Sequence, residues 1–227
     1  AGNGTAVHQT INWIYNKLKS ENKLPKTAEV LKTFEKFLKK QRLPEKDLNK
    51  YLPKSKDALR AFYEERKDNF KSDHLIEKNF RNQGVVISDQ RITGKIDKIK
   101  KDGNILEVTD FKTGNPIESW NPSGSYNKIK AWKYKNQLIF YKILIENSGD
   151  FEGCQVKKGW LEFVETNDGG QIVRLPLEIK DKDVKRVKRL IRIVGEKIKG
   201  LDFSIDQKYE KETVKNIRKF EDYLLNN

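Results

Sequence analysis

A hairpin turn in the middle of the chain is the feature that most limits how this sequence can fold. Asp102-Gly103-Asn104 separates two short segments of alternating or β-branched residues, 91–100 and 105–112. Such a turn between two such segments predicts an antiparallel pair of strands. Each strand carries a carboxylate among apolar neighbours, so Asp97 and Asp110 are expected to lie close together at one end of a sheet.

A lysine joins the two carboxylates in this prediction. Asp110 and Lys112 are two residues apart, and a strand places such residues on the same face. The arrangement is unfavourable without a ligand, because the carboxylates repel each other and lose water. A divalent cation removes this conflict, and oxygen ligands suit Mg²⁺ or Mn²⁺. An isolated Asp-x-Lys triplet is also common as an ordinary strand-end ion pair, so the triplet alone does not choose between these interpretations.

Hydrophobic spacing indicates which parts of the chain are helices and which are strands. It predicts helices in the first third of the chain, with Pro25, Pro44 and Pro53 between them, over residues 4–19, 27–40 and 54–70. Strands are predicted at residues 74–80, 85–88, 91–100, 105–112, 157–165 and 171–179. Further helices are predicted at residues 128–147, 182–199 and 206–227. The order predicts a single domain of the α/β or α+β class.

Composition narrows the classes of partner and site. The 47 Lys and Arg residues outnumber the 33 Asp and Glu residues, which gives a formal net charge of +14 and favours a polyanion such as nucleic acid. A lysine-rich solubility surface would have the same composition. Cys154 is the single cysteine, which excludes an internal disulfide and an iron–sulfur cluster held by several cysteines, and indicates a reducing, cytoplasmic setting. No apolar run is long enough to span a membrane.

Four motifs around these residues resemble those of the PD-(D/E)xK nuclease superfamily. Gly94-Lys95-Ile96-Asp97, followed by Val108-Thr109-Asp110-Phe111-Lys112-Thr113-Gly114, is similar to its second and third motifs. Upstream, Gly4-Thr5-Ala6-Val7-His8 is similar to a GTxxH motif, and downstream Gln137-Leu138-Ile139-Phe140-Tyr141 matches QxxxY. This set in this order is typical of RecB-like nuclease domains at the C-terminus of UvrD-type and AddAB-type helicase-nucleases.

The resemblance implies a restriction-endonuclease-like core, a central mixed β-sheet flanked by helices. Within one domain of residues 1–227, it implies a helical insertion at 20–72, a catalytic sheet with the QxxxY helix at 73–179, and C-terminal helices at 180–227. The implied activity is DNA cleavage with Mg²⁺ or Mn²⁺ and no iron–sulfur cluster, as an exonuclease more readily than an endonuclease.

The resemblance also assigns roles to individual residues. The implied catalytic residues are Asp97, Asp110, Lys112, Gln137 and Tyr141. The implied metal ligands are His8, Asp97, Asp110 and the backbone carbonyl of Phe111. Glu77, in a segment similar to an E-x-x-F strand, either joins the metal ligands or is a solvated strand residue. His74 has no motif around it and is expected at the surface or at a strand edge.

Basic and aromatic residues before the QxxxY helix are expected to contact nucleic acid, because cations neutralise phosphates and bases stack on aromatic rings. They are Lys128, Lys130, Lys133, Trp120, Tyr126 and Trp132. The chain has no Walker-type phosphate loop, so a helicase would be a separate domain or subunit. A DNA-binding module of the same fold without catalysis, and cleavage of RNA, are the alternatives to a DNA nuclease.

Overall fold

A mixed β-sheet lies between two layers of helices. In the residues that the computed structural model describes (2–202, 209 and 212–226), five strands form this sheet and two short strands form a separate hairpin. The sheet strands are β1 (Leu75–Asn79), β4 (Lys95–Asp102), β5 (Ile105–Lys112), β6 (Gln155–Thr166) and β7 (Ile172–Glu178). The separate hairpin consists of β2 (Val86–Ile87) and β3 (Gln90–Arg91).

The order of the sheet is β1-β4-β5-β6-β7, and only the central β5–β6 pair is parallel. The β4–β5 hairpin turns at Gly103, whose φ of +56° is a backbone conformation that glycine adopts without strain. Its register places Asp102 opposite Ile105 and Lys98 opposite Thr109. The hairpin that the sequence predicts is therefore present.

The helices pack on the two faces of the sheet. They are α1 (Gly2–Glu21), α2 (Thr27–Lys40), α3 (Glu45–Arg66), α4 (Ser125–Glu146), α5 (Asp181–Lys199) and α6 (Val214–Asn226), with short 3-10 turns at Lys67–Asn69 and Gly149–Phe151. The first three helices share a core with Phe111, Val164 and Ile172 of the sheet. On the other face, α4 and α5 pack against Leu106 and Val108. The predicted fold class, a central mixed sheet flanked by helices, is confirmed.

The prediction that Pro53 separates helices is wrong, because α3 begins at Glu45 and continues through Pro53. Pro44 precedes its first turn, and acidic side chains there suit the positive end of the helix dipole. Leu48 and Leu52 pack against the core under α1–α3. Their burial offsets the hydrogen bond that the exposed Pro53 cannot donate.

Two other predictions need correction. The strand predicted at 91–100 is divided, because Arg91 belongs to the separate β2–β3 hairpin and β4 begins at Lys95. His74 directly precedes the edge strand β1, so the strand-edge alternative holds, but its side chain is buried and not at the surface, with Nδ1 3.3 Å from the Tyr15 hydroxyl of α1. The helix predicted at 206–227 is described from Val214 onwards, and residues 203–208, 210, 211 and 227 lie outside the described residues.

Within residues 2–202 and 212–226, none of the helices combines the length and the apolar character that crossing a bilayer requires.

The proposed division into an insertion, a catalytic part and C-terminal helices stays a prediction.

Candidate active site

Asp97 and Asp110 lie where β4 and β5 separate. The antiparallel ladder between these strands ends at the Lys98–Thr109 pair, and each of these residues is next to one of the carboxylates. Beyond it, the backbone amide of Phe111 donates to Asp97 Oδ2 at 2.8 Å. The side chain of Asp97 thus replaces a strand partner and fixes its own orientation. Both carboxylates are almost completely buried.

His8 and Glu77 complete a cluster of metal-ligand type with Asp97. His8 Nδ1 lies 3.4 Å from Asp97 Oδ1 and 3.8 Å from Glu77 Oε1. One possible ligand atom from each of the three residues lies within 4.8 Å of the others. Glu77 has a φ of +55°, which is unusual for a strand residue that is not glycine, and its carboxylate also pairs with Lys95. Such a strained residue is often found where a ligand must be positioned.

Gly4 explains how the helix that carries His8 approaches the end of β5. A Cβ atom at Gly4 would lie 3.1 Å from Thr113 Oγ1, which is a tight contact. His8 follows one helical turn later and faces the same side. The small residue in the first motif therefore permits the close contact that brings the imidazole to the carboxylates.

Lys112, Gln137, Tyr141 and Asp110 form a closed ring of polar contacts. Lys112 Nζ donates to Gln137 Oε1 at 2.7 Å, Gln137 Nε2 donates to the Tyr141 hydroxyl at 3.0 Å, and that hydroxyl donates to Asp110 Oδ1 at 2.8 Å. Lys112 Nζ also lies 2.8 Å from Asp110 Oδ2. Gln137 and Tyr141 are one turn apart on α4, so a single helix face holds both ends of the β5 Asp-x-Lys pair.

Burial and neighbouring charges shift the pKa values of three groups in the site. Burial lowers the pKa of His8, but the Asp97 and Glu77 carboxylates outweigh it and raise the pKa to about 10. Burial raises the pKa of Asp110, and the charge of Asp97 adds to this although Lys112 opposes it. Burial and then Asp110 raise the pKa of Tyr141, so its hydroxyl remains a donor.

These residues fit a divalent cation. Asp110 Oδ2 is buried, and within the described part of the chain its close polar contact is the ion pair with Lys112 Nζ at 2.8 Å. The carboxylates of Asp97 and Glu77 draw a proton onto His8, which is the role that a bound cation would take over, leaving a neutral imidazole as a ligand. Carboxylate oxygens with one imidazole suit Mg²⁺ or Mn²⁺.

Comparison with known families agrees with this geometry. The sequence profile of the PD-(D/E)XK nuclease superfamily matches residues 2–211. The chain belongs to this superfamily. Members of the superfamily are in general phosphodiesterases that use divalent metals. A solved structure titled "Crystal structure of SSO0001" is similar at 14% identity, over 88% of this chain and 90% of that chain, with a TM-score of 0.39. The search of curated proteins finds no match.

The structure brings the predicted PD-(D/E)XK site residues to one cavity of about 510 Å³. Its walls include His8, Glu77, Asp97, Asp110, Phe111, Lys112, Gln137 and Tyr141. The amide of Phe111 is occupied by Asp97, and the role of its carbonyl as a ligand stays a prediction. Glu77, for which the sequence left two interpretations, faces the cavity.

Lys95 and Tyr134 are at this site although the sequence did not predict them there. Lys95 lines the cavity and pairs with Glu77. The ring of Tyr134 lies 4.6 Å from Lys112 Nζ, measured to the ring centroid. Both had a signal in the chain, because Lys95 is inside the GKID segment and Tyr134 precedes Gln137 by about one helical turn.

The residues predicted to contact nucleic acid divide into two groups. Lys128, Lys130, Lys133 and Tyr126 lie on the N-terminal half of α4, where Tyr126 is 75% exposed. Lys130 Nζ lies 5.6 Å from the Tyr126 ring centroid and also donates to the Asn115 carbonyl.

The two tryptophans are not part of that surface. Trp120 donates its indole N–H to the Pro176 carbonyl at 2.6 Å and packs against the core. Trp132 lies beside Asp183 and Glu221, on the α4 surface that faces α5 and α6. The structure therefore does not bring Trp120 or Trp132 to the surface around Tyr126, because Trp120 is held against β7 and Trp132 faces α5 and α6.

Proposed function

We propose that this chain is a metal-dependent DNA nuclease that hydrolyses phosphodiester bonds with Mg²⁺ or Mn²⁺. The observation that carries the proposal is the convergence of His8, Glu77 and Asp97 within 4.8 Å of one another. Asp110 and Lys112 line the same cavity as this cluster. A carboxylate–imidazole cluster beside a held lysine suits phosphodiester hydrolysis, because negative charge must be neutralised there.

His8, Asp97 and Asp110 would hold the metal, with Glu77 and the Phe111 carbonyl as further ligands. A bound Mg²⁺ or Mn²⁺ would supply Lewis-acid chemistry by polarising the phosphate and lowering the pKa of a water. The contact between Phe111 N and Asp97 Oδ2 limits the motion of one ligand. The contact between Tyr141 and Asp110 does the same for another.

Lys112 would orient the attacking water or neutralise charge on the scissile phosphate. Asp110, Gln137 and the Tyr134 ring hold its ammonium from three sides, which limits the rotamers that this long side chain can adopt. Gln137 and Tyr141 would act through Lys112 and Asp110 as positioning residues. Preorganised charge of this kind is worth more in a buried site than in water.

DNA would approach along the start of α4. Lys128 and Lys133 are exposed there, and Tyr126 presents an open ring on which a base could stack. Lys130 bridges Tyr126 and the loop after β5. This basic, aromatic surface adjoins the face of α4 that carries Gln137 and Tyr141, which favours it as the path to the cavity.

A RecB-like place in a helicase-nuclease is the finer part of the proposal. The GTAVH segment on α1 and the QLIFY segment on α4 support it, since both meet Asp97 and Asp110 in one cavity. The same resemblance favours exonuclease action and a helicase domain or subunit as a partner. A cytoplasmic location follows from such a role.

The test is cleavage of DNA with Mn²⁺, Mg²⁺ or EDTA by the wild type, Asp110→Asn and Asp168→Asn. Asp168 lies in the exposed β6–β7 turn and is the matched control. We expect metal-dependent cleavage that Asp110→Asn abolishes and Asp168→Asn retains. End-labelled linear DNA beside the same sequence as a closed circle separates the modes, because an exonuclease leaves the circle intact. Tight binding without cleavage under every condition would instead indicate a binding module.

A further inference from the structure

A second cavity of about 370 Å³ lies beside the sheet, and among the described residues it shares no lining residue with the active site. Lys98 follows Asp97 in β4, so the two side chains leave the strand on different faces and line different cavities. Four cations and two carboxylates line this second cavity: Lys71, Lys98, Lys100, Arg174, Glu107 and Glu162.

The buried carboxylate of Glu162 is surrounded by more positive charge than it can neutralise. Its oxygens lie 3.2 Å from Arg66 Nε, 3.7 Å from Lys98 Nζ and 3.8 Å from Arg174 Nε. The Nε atoms of Arg66 and Arg174 are buried, and no described residue accepts a hydrogen bond from them. Buried donors of this kind normally have an acceptor, and leaving them without one is costly.

Lys142 shows how this fold satisfies a buried cation when no ligand is involved. It is as buried as Lys98, yet it donates to the Glu146 carboxylate and to the Val156 carbonyl. The described contacts of Lys98 are a carboxylate oxygen at 3.7 Å and the face of the Phe111 ring at 5.3 Å. Among the described residues, Lys98 of the second cavity therefore lacks the close hydrogen bonds that Lys142 makes.

The remaining groups of the cavity keep it positive. Glu107 accepts a hydrogen bond from the Trp160 indole at 3.0 Å, and the guanidinium of Arg174 stacks on that ring at 3.6 Å. Stacking holds the guanidinium plane fixed, which preserves its donors for an anion. Burial, followed by the charge of Lys98, lowers the pKa of His74 to about 4, so the imidazole is neutral at neutral pH.

We propose that this second cavity binds a phosphate group, through Arg174 and Lys98 with Lys71 and Lys100 at its rim. A phosphate oxyanion offers several acceptors to the Arg174 and Lys98 side chains, and it neutralises the excess charge around Glu162. The phosphate is either the terminal phosphate of a nucleic-acid strand or free phosphate. This proposal does not depend on nuclease activity, because it concerns different residues and a different cavity.

The two histidines of the chain make a direct test possible, because His8 lies in the active site and His74 in the second cavity. Imidazole NMR signals of the folded protein would be followed while inorganic phosphate is added with EDTA present. We expect the His74 signals to shift in a saturable way and the pKa of His74 to rise, since the bound anion offsets the lysine charges. Folded protein whose His74 signals do not respond would overturn the proposal.

Variants locate the binding. Arg174→Gln should weaken phosphate binding at His74 by at least about tenfold, the effect of losing one charge-assisted hydrogen bond. Lys71→Gln, at the exposed rim, tests the same site with little risk to folding and should weaken binding by several-fold. Arg60→Gln, an exposed arginine of α3 outside the cavity, is the matched control and should bind as the wild type does. Equal affinity in all three variants would contradict the assignment.

A pair of oligonucleotides identifies the source of the phosphate. A 5′-phosphorylated oligonucleotide that shifts the His74 signals, when its unphosphorylated twin does not, would assign the cavity to a strand end. A response to inorganic phosphate alone would assign it to free phosphate. Absence of any His74 response to all three probes would refute phosphate binding and leave the cations as a purely structural cluster.

Discussion

Lys112 has three neighbours that fix its ammonium, where an ordinary strand-end ion pair has one. Asp110 Oδ2 and Gln137 Oε1 are both within 2.8 Å, and the Tyr134 ring covers a third side. Fixing a flexible lysine costs conformational entropy, which a solvated ion pair does not recover. This geometry favours the catalytic interpretation of the Asp-x-Lys triplet over the structural one.

Lys112→Met should lower the rate of DNA cleavage by about a hundredfold or more while metal affinity changes little, because the lysine acts on phosphate or water and not on the ligands. Single-turnover cleavage at saturating Mn²⁺ and calorimetric Mn²⁺ binding would be measured together. Lys101→Met, at an exposed position near the hairpin turn, is the control. A parallel loss of metal binding and rate would contradict this role.

His74 provides a prediction about stability and pH. Its pKa of about 4 is below the ordinary value, so its contribution to stability is present above about pH 6.5 and is lost as the pH falls through 4. From pH 7 to about pH 4.5 the wild type should lose roughly 1–2 kcal/mol more unfolding free energy than His74→Gln. Urea titrations at both pH values measure this difference. The contributions of His8 and the carboxylates to the pH dependence are common to both proteins and cancel in it. Equal losses would show that His74 is not held neutral by burial.

Most residues of the candidate active site could be predicted from the sequence because they belong to motifs with fixed spacing. Asp97, Asp110, Lys112, Gln137 and Tyr141 line one cavity, as the four motifs indicate. The burial of His74 could not be predicted, because it depends on Tyr15, which is 59 residues away in the chain. Proximity in sequence predicts Trp120 beside the lysines of α4. The structure differs, because the indole N–H of Trp120 donates to the Pro176 carbonyl on β7.

At the scale of elements, α4 connects the two halves of the site. One face holds Gln137 and Tyr141 against β5, and Leu144 of the same helix lies against Gly94, the residue before β4. A Cβ atom at Gly94 would lie 2.7 Å from Leu144 Cδ1. The glycine of the GKID motif thus has a packing role in addition to its place in the motif.

Gly94→Ala should therefore destabilise the fold by about 1–3 kcal/mol, because the buried Leu144 has little room to move. The cleavage rate should fall as well, since a shift of β4 or α4 moves Asp97 relative to Tyr141. Thermal unfolding and single-turnover cleavage would be compared with Gly149→Ala, whose added Cβ meets nothing within 4 Å. Wild-type stability in Gly94→Ala would show that the strand and helix can separate freely.

Element type was predictable where apolar spacing is regular and less so at boundaries. The bounds of α2 agree with the prediction because Val30, Phe34 and Leu38 form one buried stripe. Pro53 predicts a break between helices, so the start of α3 at Glu45 does not follow from the pattern. The packing of Leu48 and Leu52 compensates for the hydrogen bond that Pro53 cannot donate. The residues from Arg91 to Gly94 continue the strand pattern but lie outside the sheet. The backbone amide of Ile92 donates to the Val85 carbonyl, and the backbone amide of Phe80 donates to the Gly94 carbonyl.

At the scale of the whole molecule, the net charge of +14 does not identify a DNA path by itself. Cations occur on α2, on α4 and on α5, and several of those on α5 are neutralised, such as Arg186, which pairs with Glu221 and Asp222. The start of α4 differs because Lys130 contacts the Tyr126 ring and Lys133 lies one helical turn before Gln137 on the same face. Position relative to the cavity, and not total charge, is what selects this surface.

Binding at this surface predicts a local effect on salt dependence. Replacing Lys128 and Lys133 with Gln should reduce the slope of log affinity against log salt by about two, if each lysine neutralises one phosphate of duplex DNA. Replacing Lys32 and Lys36 of α2 with Gln removes the same charge, and it should leave the slope unchanged. Both double variants have a net charge of +12 (14 − 2), so a difference between their slopes reports where DNA lies. Equal reductions would mean that the whole field of the protein attracts DNA and that α4 is not its path.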